Sequence, residues 1–339
     1  SVPKEGDLII SAVGTLGECY LVKDSDKFYF KDASVLWFAN TGEANPNYIE
    51  YLFKSDLVRS QIMNGSMGAT VGTLTISRAK DLEIPTPPLE EQKQIVAILD
   101  KAFEKIEKSK EIAEKNLKNA KELFESYLQE VFENKGDDWE EKTLNEIYDV
   151  RDGTHDSPKY KEIGYPLITS KNLKKDLLNY DKIKYISEED YFNINKRSKV
   201  DKGDILFAMI GTIGNPVVIE NETNFAIKNV ALFKVPKNQN SYFLKYYLDS
   251  KFVVDKMKKE AKGTTQQFVG LGYLRNFKIK IPSSETQKQI VTKLSQLQEK
   301  TKKLETIYQQ KLTNLEELKK SILQKAFNGE LETIKEVTA

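Results

Sequence analysis

Apolar positions along the chain follow two rhythms, and each rhythm occurs twice. Short apolar runs bounded by Gly, Pro, Asn and Asp predict strands over Asp204–Ile210, Pro216–Glu220, Phe225–Val235 and Phe277–Ile281. Helical spacing predicts short helices near Asn47–Gln61 and Ser241–Lys259. Two far longer stretches, Glu90–Glu133 and Glu285–Phe327, hold neither Pro nor Gly and are rich in Lys, Glu, Leu and Gln. Each predicts one unbroken helix, because nothing in it removes a backbone donor or frees the chain. Pro87-Pro88 and Pro282 precede them, and Asn328-Gly329 supplies a stop after the second. At a rise of 1.5 Å per residue each is ~65 Å long.

Both long helices carry an apolar seam. Ile290, Leu294, Leu297, Thr301, Leu304, Tyr308, Leu315, Leu318 and Ile322 keep a 4-3 alternation, broken at Lys311 with Leu312 beside it. Positions 195 residues earlier are Ile95, Leu99, Ala102, Ile106, Ser109, Ala113, Ala120, Leu123 and Tyr127. A stripe of this period needs a partner helix, and matching stripes predict that the two pair with each other as an antiparallel coiled coil.

The repetition extends beyond the helices. Gly6-Asp7-Leu8-Ile9 through Gly14-Thr15-Leu16-Gly17 returns as Gly203-Asp204-Ile205-Leu206 through Gly211-Thr212-Ile213-Gly214, an offset of 197. Gly68-Ala69-Thr70 returns as Gly263-Thr264-Thr265, and Gln92-Lys93-Gln94-Ile95-Val96 as Gln287-Lys288-Gln289-Ile290-Val291, both offset by 195. Three ordered matches at nearly one offset mark a duplicated unit. Ser1 aligns with Ser198, so the counterpart of roughly Trp139 to Arg197 is expected to be missing from the first unit, leaving a sheet edge open. A shortened sequence, a natural short form and replacement by another chain all explain that expectation. The predicted plan is α+β: residues 1–88 form an incomplete first globular domain and 89–135 the first long helix. Residues 136–282 form a complete second domain, 283–331 the second helix and 332–339 a tail.

Composition narrows the function. One cysteine, Cys19, excludes an intrachain disulfide and a multi-Cys zinc site, and one histidine, His155, excludes a His-rich metal centre. No apolar run reaches the ~18–20 residues of a membrane helix, and the start lacks a secretory pattern, so a cytoplasmic protein is expected. There is no phosphate-binding G-x-x-x-x-G-K-[ST] loop. The Gly14/Gly17 and Gly211/Gly214 pairs lack the dinucleotide fingerprint and read as turns. The formal net charge of +1 hides an uneven distribution. Residues 136–282 have 25 Lys+Arg against 21 Asp+Glu, whereas residues 1–88 have 8 against 11. The complete domain is thus the basic one, as phosphate contact requires.

Candidate contacts lie where short polar side chains and lysines share turn-like stretches. Thr154, His155, Lys159 and Tyr160 lie in and after the loop Asp152–Pro158, and Thr169, Ser170, Lys171 and Asn172 follow a strand-like run. Lys228 and Asn229 interrupt another apolar run, and Thr264, Thr265, Gln266 and Gln267 follow Gly263. Paired glutamine amides suit an adenine edge. Lys31, Ser66 and Thr70 are the candidates in the first domain. Each stretch also reads as an ordinary turn, and His155 as a loop hydrogen-bonder.

The order of variable domain, Pro-x-x-Glu-x-Gln, long helix, variable domain and long helix resembles the specificity subunit of type I restriction–modification systems. The resemblance is carried by Trp139, Leu144-Asn145-Glu146-Ile147, Gly153–Pro158, Gly203-Asp204-Ile205-Leu206, Gly211-Thr212-Ile213-Gly214, Pro282–Gln287 and Ala326–Leu331. The first copy answers with Gly6-Asp7, Gly14–Gly17 and Pro87–Gln92. The resemblance implies two target-recognition domains, each reading one half of a split site on double-stranded DNA, with the paired helices as ruler between them. It implies docking of two methyltransferase subunits and of restriction/translocase subunits, a non-catalytic role for this chain, and no cofactor of its own. S-adenosylmethionine, ATP and Mg are then expected on the partners. A specificity chain of a related type II system and a coiled-coil protein scaffold are the alternatives.

Overall fold

The computed structural model describes residues 2–28, 34–64, 72–134, 136, 138–263 and 267–331. The first globular part holds β1 (Leu8–Ser11), β2 (Cys19–Leu21), β3 (Val35–Phe38), α1 (Pro46–Lys54), α2 (Asp56–Asn64) and α3 (Ile76–Lys80). The long α4 (Leu89–Glu133) follows. The second part begins with β4 (Glu140–Thr143), α5 (Leu144–Ile147), β5 (Asp149–Asp152), β6 (Tyr165–Ile168), β7 (Leu173–Lys174), β8 (Leu177–Leu178) and β9 (Lys184–Ile186). It continues with α6 (Glu188–Ser198), β10 (Ile205–Ala208), β11 (Gly214–Val218), β12 (Ala226–Ile227) and β13 (Val230–Lys234). Then come α7 (Ser241–Asp249), α8 (Lys251–Glu260), α9 (Leu271–Asn276), β14 (Lys278–Ile281) and the long α10 (Ser284–Phe327).

Two compact units result: one of the residues up to Lys118 with those from Thr306 on, the other Asn119–Glu305. Each contains the start of one long helix and the end of the other. In the first, Lys110 pairs with Glu316 at 2.8 Å and Lys319 with Glu107 at 3.2 Å, an order that only antiparallel helices allow. In the second, Phe124, Leu128 and Phe132 share a core with Leu294.

Each unit repeats one set of parts. In the first unit β1 is flanked by β2 and β3, both antiparallel. In the second, β10 is flanked by β11 and β13 in the same way. Gly6 and Gly203 turn at φ +86° and +91°, a region that favours glycine, and so bring Asp7 and Asp204 inward. The Asp7 carboxylate accepts from the Lys4 and Asn40 N–H groups and from Trp37 Nε1 at 2.8–2.9 Å. Asp204 accepts from the Asp201 N–H and from Lys234 Nζ. The glutamine of the repeated Pro…Gln motif is a clamp: Gln92 Oε1 accepts from the Asn45 N–H and its amide donates to Pro87 O, both at 2.8 Å. Gln287 does the same with Asn240 and Pro282. Both clamped asparagines cap the next helix, α1 or α7.

The second unit carries more. Its main sheet runs β11-β10-β13-β5, and a smaller one β12-β6-β9 pairs β12 with β6 in parallel. Beyond β3, where β13 would have β5, no strand is paired among the described residues. Leu36, Phe38, Phe53, Leu82 and Ile84 line an open, largely apolar groove of about 660 Å³ there.

Three expectations change. The two single short helices are each a pair, divided at Ser55 and Ser250, whose buried hydroxyls bond back to Leu52 O and Tyr247 O. The run Phe225–Val235 is two strands, because Asn229 turns at φ +53°. The seam also drifts. Leu123, Leu304 and Leu318 are 50%, 38% and 47% exposed, while Phe124, Phe103, Leu323 and Ala326 are buried. A straight helix gains about 20° per heptad on a 3.5-residue repeat. The buried stripe therefore slips one position as it turns from partner helix to globular core. Among the described residues no helix is long and apolar enough to cross a membrane.

Candidate nucleic-acid interface

The candidates from Thr154 to Asn229 lie where the main and small sheets adjoin. Asp152, last in β5 and 9% exposed at its side chain, takes Arg197 Nη2 and His155 Nε2, each at 2.9 Å. Gly153 follows because nothing larger fits: a Cβ there would stand 2.3 Å from Ile227 O. Thr154 is locked in by its N–H to Ile227 O at 3.0 Å and by the Asn229 N–H to its carbonyl at 3.1 Å. Its hydroxyl accepts from the Asp156 N–H. The other His155 nitrogen, Nδ1, lies 2.8 Å from Asn229 Oδ1. His155 is thus held by side chains on both nitrogens, which fits a loop-ordering role, although its ring is largely exposed.

Lys228 is spent on the same loop. Its Nζ donates to Asp156 O at 2.7 Å and Ser157 Oγ at 2.6 Å. Asn172 is likewise structural: its Oδ1 accepts from the Thr169 N–H and hydroxyl, and its amide donates to Asn179 O. Ser170 Oγ donates to Asn229 O at 3.1 Å, tying this segment to the His155 loop. Lys159 and Lys171 are exposed and have no bonded partner among the described residues. Tyr160 is 44% exposed, and Lys184 Nζ sits 4.0 Å from its ring centroid. Such a ring with a cation over it offers a flat apolar face beside a positive charge.

Tyr160, Thr169, Ser170, Lys171, Asn172, Lys228 and Asn229 line one open groove of about 520 Å³. Its walls carry Tyr160, Thr169, Ser170 and Asn229, with Lys171, Lys174, Lys182, Lys184 and Lys228 against the single carboxylate of Asp181. Five ammonium groups to one carboxylate make it an anion-attracting surface. Thr154 and His155 face a neighbouring cavity of about 570 Å³, shared with Arg197, Asp190 and Asn193. Gln267 is exposed, and its carbonyl accepts the Gly211 N–H at 3.0 Å. Thr264, Thr265, Gln266, Lys31, Ser66 and Thr70 lie outside the described residues. Sequence reasoning missed Arg197, which comes from the end of α6 with no motif of its own, and covered Lys182 and Lys184 only within the lysine-rich run Lys171–Lys184. Among the described residues no group of three or more His, Cys, Asp or Glu side chains could hold a metal ion.

The family model for the type I restriction modification DNA specificity domain matches residues 1–116 and 136–316. The MjaVIII specificity subunit of Methanocaldococcus jannaschii is 28% identical over 306 residues, covering 83% of this chain and 70% of that protein. The EcoBI specificity subunit of Escherichia coli is 26% identical, covering 80% of this chain and 63% of its own length, so this chain spans under two thirds of it. The fold matches a chain solved in work on complex assembly and conformational transition of the type I R-M system, with TM-score 0.81 and 23% identity. That match covers 98% of this chain and 84% of the other. The crystal structure of the HsdS subunit from Thermoanaerobacter tengcongensis aligns at TM-score 0.66 and 22% identity, over 97% and 82% of the two chains.

Proposed function

The chain belongs to the type I restriction modification DNA specificity domain family, and on that premise we propose that it reads a split duplex target, its second unit taking one half-site in the lysine-lined groove. The observation that carries the reading is the groove itself, with Lys171, Lys174, Lys182 and Lys184 beside exposed Tyr160 and the polar pair Ser170 and Asn229. Lysines supply affinity through phosphates, and the polar side chains between them supply contacts to base edges. Lys228, Asn172 and Thr169 act behind the surface, fixing the loops. Lys159, Lys171, Lys182 and Lys184 reach phosphate, and Ser170, Asn229 and Gln267 face bases.

In this reading the chain catalyses nothing. It docks two methyltransferase subunits and the restriction/translocase subunits, which hold S-adenosylmethionine, ATP and Mg, and it works in the cytoplasm. Two measurements test it. Binding of the full chain with its modification subunits to duplex DNA is expected to weaken steeply as salt rises, and to favour one sequence. Methylome sequencing of a host carrying these subunits is expected to show one bipartite methylated motif. Salt-independent binding without sequence preference, together with no new methylated motif, rejects the reading.

A further inference from the structure

The small hairpin of β7 and β8 does more than wall the groove. Its base is the groove: Asn179 donates its N–H to Asn172 O at 2.7 Å and takes the Asn172 amide on its own carbonyl at 3.0 Å. Its tip reaches the long helix. Asp176, in the turn at φ +64°, pairs with Lys245 Nζ of α7 at 2.5 Å and with Lys302 Nζ of α10 at 3.0 Å. Gln298 of α10 adds an amide at 3.3 Å. Lys245 is 5% exposed at its side chain and keeps a second carboxylate, Asp249, at 3.1 Å. Halfway along, the Asn215 amide donates to Leu173 O at 3.1 Å. A chain of polar bonds thus runs from helix α10 through Asp176 to Asn172 and Asn179.

The repeat carries a different charge order at this place on the helix. At the positions 195 residues earlier, Glu50 and Lys54 form the ordinary i,i+4 pair at 2.7 Å with the two charges the other way round. In the second unit the lysine takes the first of the two places, from which it meets both Asp249 and Asp176. Helix α7 needs only one carboxylate for a within-helix pair, so the second one, delivered by the hairpin, serves the hairpin's position.

Resting on the DNA-reading role above, we propose that Asp176 is a positioning residue that anchors the recognition groove to helix α10 and so sharpens sequence discrimination without touching DNA. Burial works against both charged groups, but their charged neighbours more than offset it. The Asp176 carboxyl is held below its ordinary range by Lys245 and Lys302, and the Lys245 ammonium is held above its own by Asp249 and Asp176. The anchor is therefore charged on both sides at neutral pH.

The test uses the full chain with its modification subunits, as wild type, Asp176→Asn and Lys302→Gln. Asp176→Asn leaves Lys245 its Asp249 partner, so the fold is retained. Two readouts are taken. In free protein, amide exchange at Asn179 is expected to quicken at least tenfold in Asp176→Asn and less in Lys302→Gln. On DNA, the preference for the target over single-base variants of the half-site read by the second unit is expected to fall about tenfold. The slope of affinity against salt stays unchanged, because no phosphate contact is lost. Unchanged exchange at Asn179 overturns the anchor. Faster exchange with undiminished discrimination overturns its part in reading. Should the wild type itself show no sequence preference, the DNA-reading role fails instead, and the exchange result still decides the anchor.

Discussion

The ring of Phe132, at the end of α4, meets that of Phe243 edge-on with centroids 5.5 Å apart. The same contact recurs 195 positions on, where Phe327 at the end of α10 meets Tyr48 at 5.3 Å. Each globular core is therefore closed by the far end of a helix that starts in the other unit's sequence. Phe132 and Phe327 are 0% and 6% exposed.

Phe132→Ala and Phe327→Ala are each expected to destabilise their unit by ~3–5 kcal/mol, through lost burial and the cavity left behind. Urea unfolding followed by tryptophan fluorescence and circular dichroism checks this. A loss below ~1 kcal/mol for either variant would show that the helix end is dispensable to that core.

The drift of the seam separates two leucines that look alike in sequence. Leu294 is 0% exposed and Leu304 is 38% exposed. Leu294→Lys buries a charge among Phe124, Leu128 and the α10 core residues and is expected to cost several kcal/mol, ~3 or more. Leu304→Lys is expected to stay within ~1 kcal/mol. Thermal unfolding of both variants decides, and equal losses would restore Leu304 to the seam.

The candidate contact residues divide by what they lack. Lys171 has no bonded partner among the described residues, so Lys171→Ala is expected to weaken binding about equally on all duplexes and to lower the salt slope by about one. Gln267→Ala is expected to reduce preference at one base pair by ~1–3 kcal/mol. Lys228→Ala is different, since Lys228 holds the loop of Asp156 and Ser157. It is expected to change preference as well as affinity. Competition binding with single-base variants at two salt concentrations sorts the three.

The Asp176 anchor has a pH signature. Its folded carboxyl titrates below the ordinary value of 3.8, so its stabilisation is complete above that value and disappears as pH falls through the lower folded one. Lys245 titrates above its ordinary 10.5, and its share is present below 10.5 and lost as pH rises through the folded value. Lys302 and Asp249 face the pair throughout. The stability difference between wild type and Asp176→Asn is therefore expected to be flat, at ~1–3 kcal/mol, from about pH 5 to 9. It should shrink only in acid below pH 4 or in strong base. Urea midpoints across that range measure it, and a difference that changes near neutrality would point to another group.

Much of this architecture was legible because repetition amplifies weak signals. One Gly-Asp or one Pro…Gln says little, yet their return at nearly one offset marked out the places of β1 and β10 and the starts of both long helices. What stayed hidden depends on partners far apart in sequence. Asn172 and Lys228 looked like contact residues because short amides and lysines on loops often are. Their commitments, to the Asn179 carbonyl and to the Asp156 carbonyl and Ser157 hydroxyl, exist only once β6, β12 and β13 are assembled. Leu304 leaves the stripe that a 3.5-residue repeat predicts because the helix turns from one neighbour to another.

The reversed order of Glu50–Lys54 and Lys245–Asp249 limits how the duplicated parts can be exchanged. A chimaera that carried α1 into the place of α7 would put Glu50 where Lys245 stands, facing Asp176. The hairpin tip would then meet a carboxylate, with Lys302 beside it and Lys54 one turn further along the helix in the place of Asp249. A viable swap must move the hairpin together with its lysine, as one cassette. The boundary of an exchangeable recognition module in this chain therefore follows a charge partnership between segments some 70 residues apart in the sequence, and not the borders of the repeat.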